Sequence, residues 1–312
     1  MYMQFWGVRG SLPTPLTPQQ IRSKISAVVQ RIGPDDIKDA DSRQRFIDTL
    51  PETINGTVGG NTACVELVNK KGTVFILDAG SGLRALGKKY GGANPRTYHI
   101  LFSHFHWDHI QGLPFFDPIF NPKTEIHIYS PVENVKQLLS DQMEAPYFPV
   151  PLSACTKNIF FHIIKPMEPF EIDGTIIECK RMHHPGGSYS YLFKEDDHKI
   201  VYATDVELQP DDYKKGNPNY QFFGNADVLI LDAQYTVEEV IAKENWGHSS
   251  FSHATDFATS MNVKKLFLFH HDPVYDDKKI HTILKTADWY MNHNRKVRTE
   301  VSVASEGMEI TL

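Results

Sequence analysis

Six consecutive positions, His104-Phe105-His106-Trp107-Asp108-His109, carry three imidazoles and a carboxylate directly after the apolar stretch Tyr98-His99-Ile100-Leu101-Phe102. Side chains of this kind are costly to keep together beside an apolar strand unless something orders and neutralises them. If the chain stays extended past the end of that strand, side chains two apart share a face. His104 and His106 then grip one ion, while Asp108 and His109, beyond a bend, face another. Two neighbouring ions suit hydrolysis. A metal-free histidine loop would be the natural reading of a lone His-x-His; the full H-x-H-x-D-H spacing argues against it, and the remaining ligands are expected elsewhere in the chain.

With 312 residues and 41% apolar content, the chain has enough material for one large domain or two smaller ones. A single domain over 1–312 is the simpler reading. The balance of 32 basic and 38 acidic residues gives a net charge of −6, with no long run of like charge, so a surface that coats nucleic acid is not expected. Cys64, Cys155 and Cys179 are too widely spaced for a disulfide framework or a C-x-x-C zinc module and read as reduced core residues. The N-terminal Met1-Tyr2-Met3-Gln4-Phe5-Trp6-Gly7 enters strand-like sequence directly, and no window reaches the length of an apolar membrane span. These features predict a soluble, cytoplasmic protein without a membrane partner.

Short β-rich runs alternate with helical ones, which predicts an α/β sandwich. Strands are expected near Met3–Trp6, Ala63–Val68, Thr73–Asp78, Tyr98–Phe102, Glu125–Tyr129, Thr175–Arg181, Ser190–Lys194, Lys199–Ala203, Val228–Asp232 and Lys265–Phe269. Helices are expected around Pro18–Arg31, Leu83–Lys88, Val132–Gln142, Ser249–Met261 and Asp277–His293. The charged, helix-patterned stretch from about 16 to 56 reads as an insertion, either capping a cleft or forming a hairpin remote from it. Met143–Leu152, with Pro146, Pro149 and Pro151 around Tyr147 and Phe148, is too proline-rich for regular structure. It is expected to wall a pocket, pack on the core, or form the interface of a homodimer.

The H-x-H-x-D-H motif resembles that of the metallo-β-lactamase superfamily, and the likeness extends over most of the chain. Val74-Phe75-Ile76-Leu77-Asp78-Ala79-Gly80-Ser81-Gly82 is similar to the strand and turn preceding that motif in the family, where the aspartate orients the site without binding metal. His184, in His183-His184-Pro185-Gly186, resembles the next ligand, with His183 as its rival. Asp205, after Val201-Tyr202-Ala203-Thr204, resembles the aspartate that bridges both ions, and His270, after Leu266-Phe267-Leu268-Phe269, the last ligand. The resemblance therefore implies a four-layer αββα sandwich holding two divalent cations. His104, His106, His184 and Asp205 would bind one, and Asp108, His109, Asp205 and His270 the other. Such nitrogen and oxygen donors suit zinc, with manganese or iron as alternatives.

Trp246-Gly247-His248-Ser249-Ser250 resembles the Gly-His-Ser motif of the branch containing tRNA 3′-processing ribonucleases and cyclic phosphodiesterases, in which the histidine protonates the leaving oxygen. Asp232 matches the carboxylate that steadies this histidine. The resemblance thus assigns catalysis to His248, Asp232 and Asp108. Phe5-Trp6-Gly7-Val8-Arg9-Gly10-Ser11, Gly59-Gly60-Asn61-Thr62 and Trp107-Asp108-His109-Ile110-Gln111-Gly112 are most similar to small cyclic-nucleotide or cyclic-phosphate phosphodiesterases. Within them, Arg9 would approach a phosphate and Asn61 would hydrogen-bond near the site, or each would hold a turn in place. The basic, glycine-rich arm with which ribonucleases of this branch hold tRNA has no counterpart here, so a small phosphodiester is expected rather than a nucleic-acid polymer. The rival readings are an acyl hydrolase of the same fold, acting on a lactone or thioester, and a non-catalytic metal-binding regulatory protein.

Overall fold

The computed structural model describes residues 1–91, 96–214, 216, 218–293 and 299–312. Among these, fourteen strands form two seven-stranded sheets. The first holds β1 (Tyr2–Gly7), β2 (Cys64–Val68), β3 (Val74–Leu77), β4 (Thr97–Leu101), β5 (Glu125–Ser130) and β6 (Ile159–Ile163), with β14 (Glu309–Thr311) on its edge. The second holds β7 (Phe170–Ile172), β8 (Thr175–Met182), β9 (Ser188–Glu195), β10 (His198–Ala203), β11 (Val228–Asp232), β12 (Lys265–Phe269) and β13 (Glu300–Val303).

Each sheet has a parallel half and an antiparallel half. β3 to β6 run parallel in one and β10 to β13 in the other. Parallel strands buried on both faces must be nearly continuous in apolar residues. β11 (Val-Leu-Ile-Leu-Asp) and β3 (Val-Phe-Ile-Leu) meet that requirement and are buried throughout. The sheets face each other across an aromatic core, with Phe5 5.4 Å from Phe267 and Phe75 5.6 Å from Phe193 between ring centroids.

The helices are α1 (Pro18–Val29), α2 (Ala40–Thr49), α3 (Glu52–Asn55), α4 (Leu83–Tyr90), α5 (Trp107–Ile110), α6 (Val135–Gln142), α7 (Pro218–Phe223), α8 (Val237–Ala242), α9 (Phe251–Ser260) and α10 (Asp277–His293). Leu83 and Leu86 of α4 and Val135 and Leu139 of α6 pack on the outer face of the first sheet with Ile76, Ile100 and Ile128. Ala254 and Phe257 of α9 and Ile280 of α10 join the core of the second. Helix, sheet, sheet and helix make the expected four-layer sandwich. No helix among the described residues is long and apolar enough to cross a membrane.

The stretch between β1 and β2 is the expected helical one, α1 to α3. Lys24 ties it to the second outer layer through Asp277 of α10, 2.9 Å away. Residues 143–152 lie against the core: Met143 and Leu152 are buried, and Phe148 meets Phe115 edge-on at 5.6 Å, while Tyr147 is exposed. β6, β7, β13 and β14 were not expected from the sequence. β6, Ile-Phe-Phe-His-Ile, is half-exposed along its length, and β7, β13 and β14 have only three or four residues. The alternation in β7, β13 and β14 is too short to mark a strand, and β6 carries an apolar run that sequence reasoning missed.

Candidate metal centre

The site lies at the C-terminal ends of parallel strands, where open α/β sheets place their ligands. Asp78 follows β3, the histidine motif follows β4, Asp205 follows β10, Asp232 ends β11 and His270 follows β12; His184 comes from the loop joining β8 to β9. His106 is still extended (φ −63°, ψ 152°) and the chain then turns into α5, which supplies the bend expected between His106 and Asp108. Asp78, Asp205 and His270 have φ of 59°, 53° and 62°. That left-handed conformation is uncommon outside glycine and persists where surrounding contacts impose it. Here it turns side chains off strand ends into one pocket.

Ligand atoms of His104, His106, His184 and Asp205 lie within 4.8 Å of one another, as do those of Asp108, His109 and His270. Asp205 joins the two groups. Its Oδ1 is 3.6 Å from His104 Nε2 and 3.8 Å from His184 Nε2, and its Oδ2 is 3.1 Å from His109 Nε2 and 3.2 Å from His270 Nε2. Asp108 Oδ2 lies 3.2 Å from both His109 Nε2 and His270 Nε2. His183, the rival of His184, is exposed and outside the cluster.

Hydrogen bonds at the opposite ring nitrogens set which atoms face inward. Ser103 Oγ donates to Asp78 Oδ2 (2.7 Å) and so accepts from His104 Nδ1 (3.0 Å). His109 Nδ1 donates to Asp78 Oδ2 at 2.8 Å, and His184 Nδ1 donates to the Gly247 carbonyl at 2.9 Å. Each imidazole is left with Nε2 toward the cluster, the arrangement that orients metal-binding histidines. Tyr202 of the second sheet also donates to Asp78 Oδ2, at 2.7 Å, locking the two sheets together behind the site.

The donor set fits divalent cations. His104 Nε2 is buried without a hydrogen-bond partner, and the nitrogens of two pairs face each other, His106 Nδ1 and His184 Nε2 at 3.2 Å and His109 Nε2 and His270 Nε2 at 3.3 Å. Asp78, Asp108, Asp205 and Asp232 are buried, and their recorded partners are imidazoles, hydroxyls and backbone amides rather than Lys or Arg. Burial pushes His104, His106 and His184 below the usual imidazole range, which keeps them neutral for ligation. Burial opposes charge on His109 as well, but Asp108, Asp205 and Asp78 outweigh it and hold that ring cationic. A divalent cation would take the place of this proton.

His248 stands at the junction of the two groups, its ring stacked on His270 (5.1 Å between centroids, 18°) and edge-on to His184 at 5.3 Å. Its Nδ1 donates to Asp232 Oδ2 at 2.7 Å, and Asp232 Oδ1 receives the Ser249 amide at 3.0 Å. Burial opposes protonation of His248, yet the Asp232 carboxylate lifts it to about 9. Asp232 thus holds the His248 ring oriented and cationic beside the cluster.

Arg9 and Asn61 hold turns. The Arg9 guanidinium is buried and donates to the carbonyls of Gly59 (2.8 Å) and Tyr275 (2.7 Å). Asn61 bridges Glu306 and Ser81. His271 bonds to the Ala304 carbonyl at 3.0 Å. Sequence reasoning missed Glu207, whose buried carboxylate receives the amides of Asn245 (3.0 Å) and Gly247 (2.8 Å) and so fixes the loop that carries His248. It also missed Ser11, whose amide donates to Asp108 Oδ2 at 2.8 Å. Neither residue type marks such a role without the fold.

Residues 73–271 match the family model of the beta-lactamase superfamily domain. Ribonuclease Z of Picrophilus torridus is 24% identical over 257 residues, spanning 65% of this chain and 78% of the relative. Among solved structures, the metallo-beta-lactamase fold protein YhfI of Bacillus subtilis superposes with a TM-score of 0.65 at 15% identity, covering 99% of this chain and 98% of that one. The short form of human tRNase Z superposes with a TM-score of 0.61 at 18% identity, covering 100% and 99%.

Proposed function

Because the chain belongs to the beta-lactamase superfamily, we propose that its buried cluster holds two divalent cations and hydrolyses phosphodiesters, with a small cyclic phosphodiester as the substrate. His104, His106, His184 and Asp205 would hold one ion, and Asp108, His109, Asp205 and His270 the other. Imidazole and carboxylate donors favour zinc, with manganese or iron as alternatives. Bound there, the ions would share the charge of a phosphodiester anion and acidify the water that attacks phosphorus.

The chain itself contributes the proton for the leaving oxygen. The observation that carries the reading is the Asp232–His248 pair stacked against His270. Asp232 takes Nδ1, which leaves the Nε2 proton of His248 for the departing alkoxide. An acyl hydrolase with an activated leaving group has less need of such an acid. Trp107 follows His106 and Trp246 stands two residues before His248 in the chain, and the two are 83% and 62% exposed; exposed flat rings suit a nucleobase. The net charge of −6 favours a small diester over an RNA chain. Cleavage at an RNA 3′ end is the second reading, supported by the name of the Picrophilus torridus relative.

The test is hydrolysis, by protein loaded with zinc or manganese, of cyclic AMP, cyclic GMP and a nitrophenyl phosphodiester beside a lactone, a thioester and a tRNA precursor. Turnover of the small diesters is expected. Turnover of the acyl substrates alone would overturn the reading, and cleavage of the precursor alone would move the chain to the ribonuclease reading.

A further inference from the structure

In the loop between α8 and α9, Gly247 is held from two sides. Its amide donates to Glu207 Oε2 at 2.8 Å, and its carbonyl accepts from His184 Nδ1 at 2.9 Å. The other carboxylate oxygen of Glu207 receives the Asn245 amide at 3.0 Å. Asn245 and Gly247 both have left-handed φ, 65° and 89°, which brings their amides onto one buried carboxylate and leaves Trp246 between them exposed. Glu207 also reaches the neighbouring loop, where its own amide donates to the His183 carbonyl at 2.9 Å. Ser249 closes the arrangement, donating to the Val206 carbonyl at 2.6 Å and accepting from the Leu208 amide at 3.0 Å. The segment that begins with Asp205 is thus the floor on which the loops of both His184 and His248 rest.

Resting on the two-cation phosphodiesterase reading of the cluster, we propose that Glu207 is a positioning residue that couples the first cation site to the acid: an ion on His104, His106, His184 and Asp205 orders the loop that presents His248, and the ordered loop in turn tightens the ion. The path is short. A cation on Nε2 fixes the His184 ring and strengthens the Nδ1 donation to Gly247. Gly247 and Glu207 carry that constraint to His248, the next residue in the chain. Coupling between two sites is reciprocal in binding free energy, so slack in the loop also costs metal affinity. A glutamine in place of Glu207 keeps one acceptor oxygen but sets an NH2 group against the second amide. The left-handed residues 245 and 247 then lose part of what imposes their conformation.

Hydrogen exchange of residues 243–250 in the metal-free and the zinc-loaded full chain reads the coupling without any substrate. Zinc is expected to slow exchange there by about 10-fold more than in residues 170–177, at the far end of β8 from His184. In Glu207→Gln that excess should shrink to about 3-fold or less, whereas a merely structural Glu207 would loosen the loop equally with and without zinc. The same variant is expected to bind zinc roughly 10-fold more weakly. Loaded with two ions, it should lose about 10- to 100-fold in kcat on an alkyl phosphodiester at unchanged KM, and less on a nitrophenyl one. Glu207→Ala should enlarge each effect; circular dichroism reveals whether it still folds, and if it does not, Glu207→Gln decides. Equal slowing of the two segments by zinc in the wild type, or a Glu207→Gln variant with wild-type zinc affinity and wild-type protection, would overturn the coupling. Zinc-dependent protection of the loop in a chain that turns over no phosphodiester would uphold the coupling and overturn only the phosphodiesterase reading.

Discussion

Asp205 faces both halves of the cluster, with each carboxylate oxygen turned to a different group of imidazoles. An amide at this position loses the negative charge and offers a single ligating oxygen. Asp205→Asn is therefore expected to lose bound metal and at least about 100-fold in rate together. Metal analysis beside rate measurements checks this; two ions retained at wild-type affinity would contradict the bridging role. The ligand-type residues of the site were legible in the sequence because four of them are adjacent and the rest follow apolar runs. Glu207 was not, since its role is to receive two amides from a loop about forty positions away. Arg9 could equally have met a phosphate, and only the fold brings the carbonyls of Gly59 and Tyr275 to its guanidinium.

Strand ends do the work of the elements. β3, β4, β10, β11 and β12 were readable because strands buried on both faces must be nearly all apolar, and each delivers a site residue at or just beyond its last position. Edge strands such as β13 and β14 keep part of their surface in water and lose that signature. The loop carrying His248 depends on Gly247, which has a φ of 89°, and a Cβ there would run into the His184 ring. Gly247→Ala is expected to displace His184 and weaken metal binding by roughly 10- to 100-fold. A metal titration with unchanged affinity would show that the loop has room to adjust.

At the scale of the whole molecule, the site exists only while the two sheets face each other. The first supplies His104, His106, Asp108 and His109; the second supplies His184, Asp205, Asp232 and His270, with His248 in the loop between α8 and α9. Behind it, the same sandwich buries His99, whose Nδ1 accepts from the Tyr129 hydroxyl at 3.0 Å. Burial, with a contribution from His127, pushes His99 down to about 4, against 6.5 in an unfolded chain. Between those values the unfolded chain binds the extra proton, so this contribution to stability is full above pH 6.5 and is lost as the pH falls toward 4. Thermal unfolding across that range should show the decline, and His99→Asn should flatten it; an unchanged slope in the variant would place the pH sensitivity elsewhere. The most direct test of the central claim is His248→Ala, assayed with the metal content measured on the same sample. The account predicts two ions bound, a loss of roughly 10² to 10⁴ in rate on a phosphodiester with an alkyl leaving group, and a much smaller loss with a nitrophenyl one. Equal losses on both substrates, or loss of metal, would contradict it.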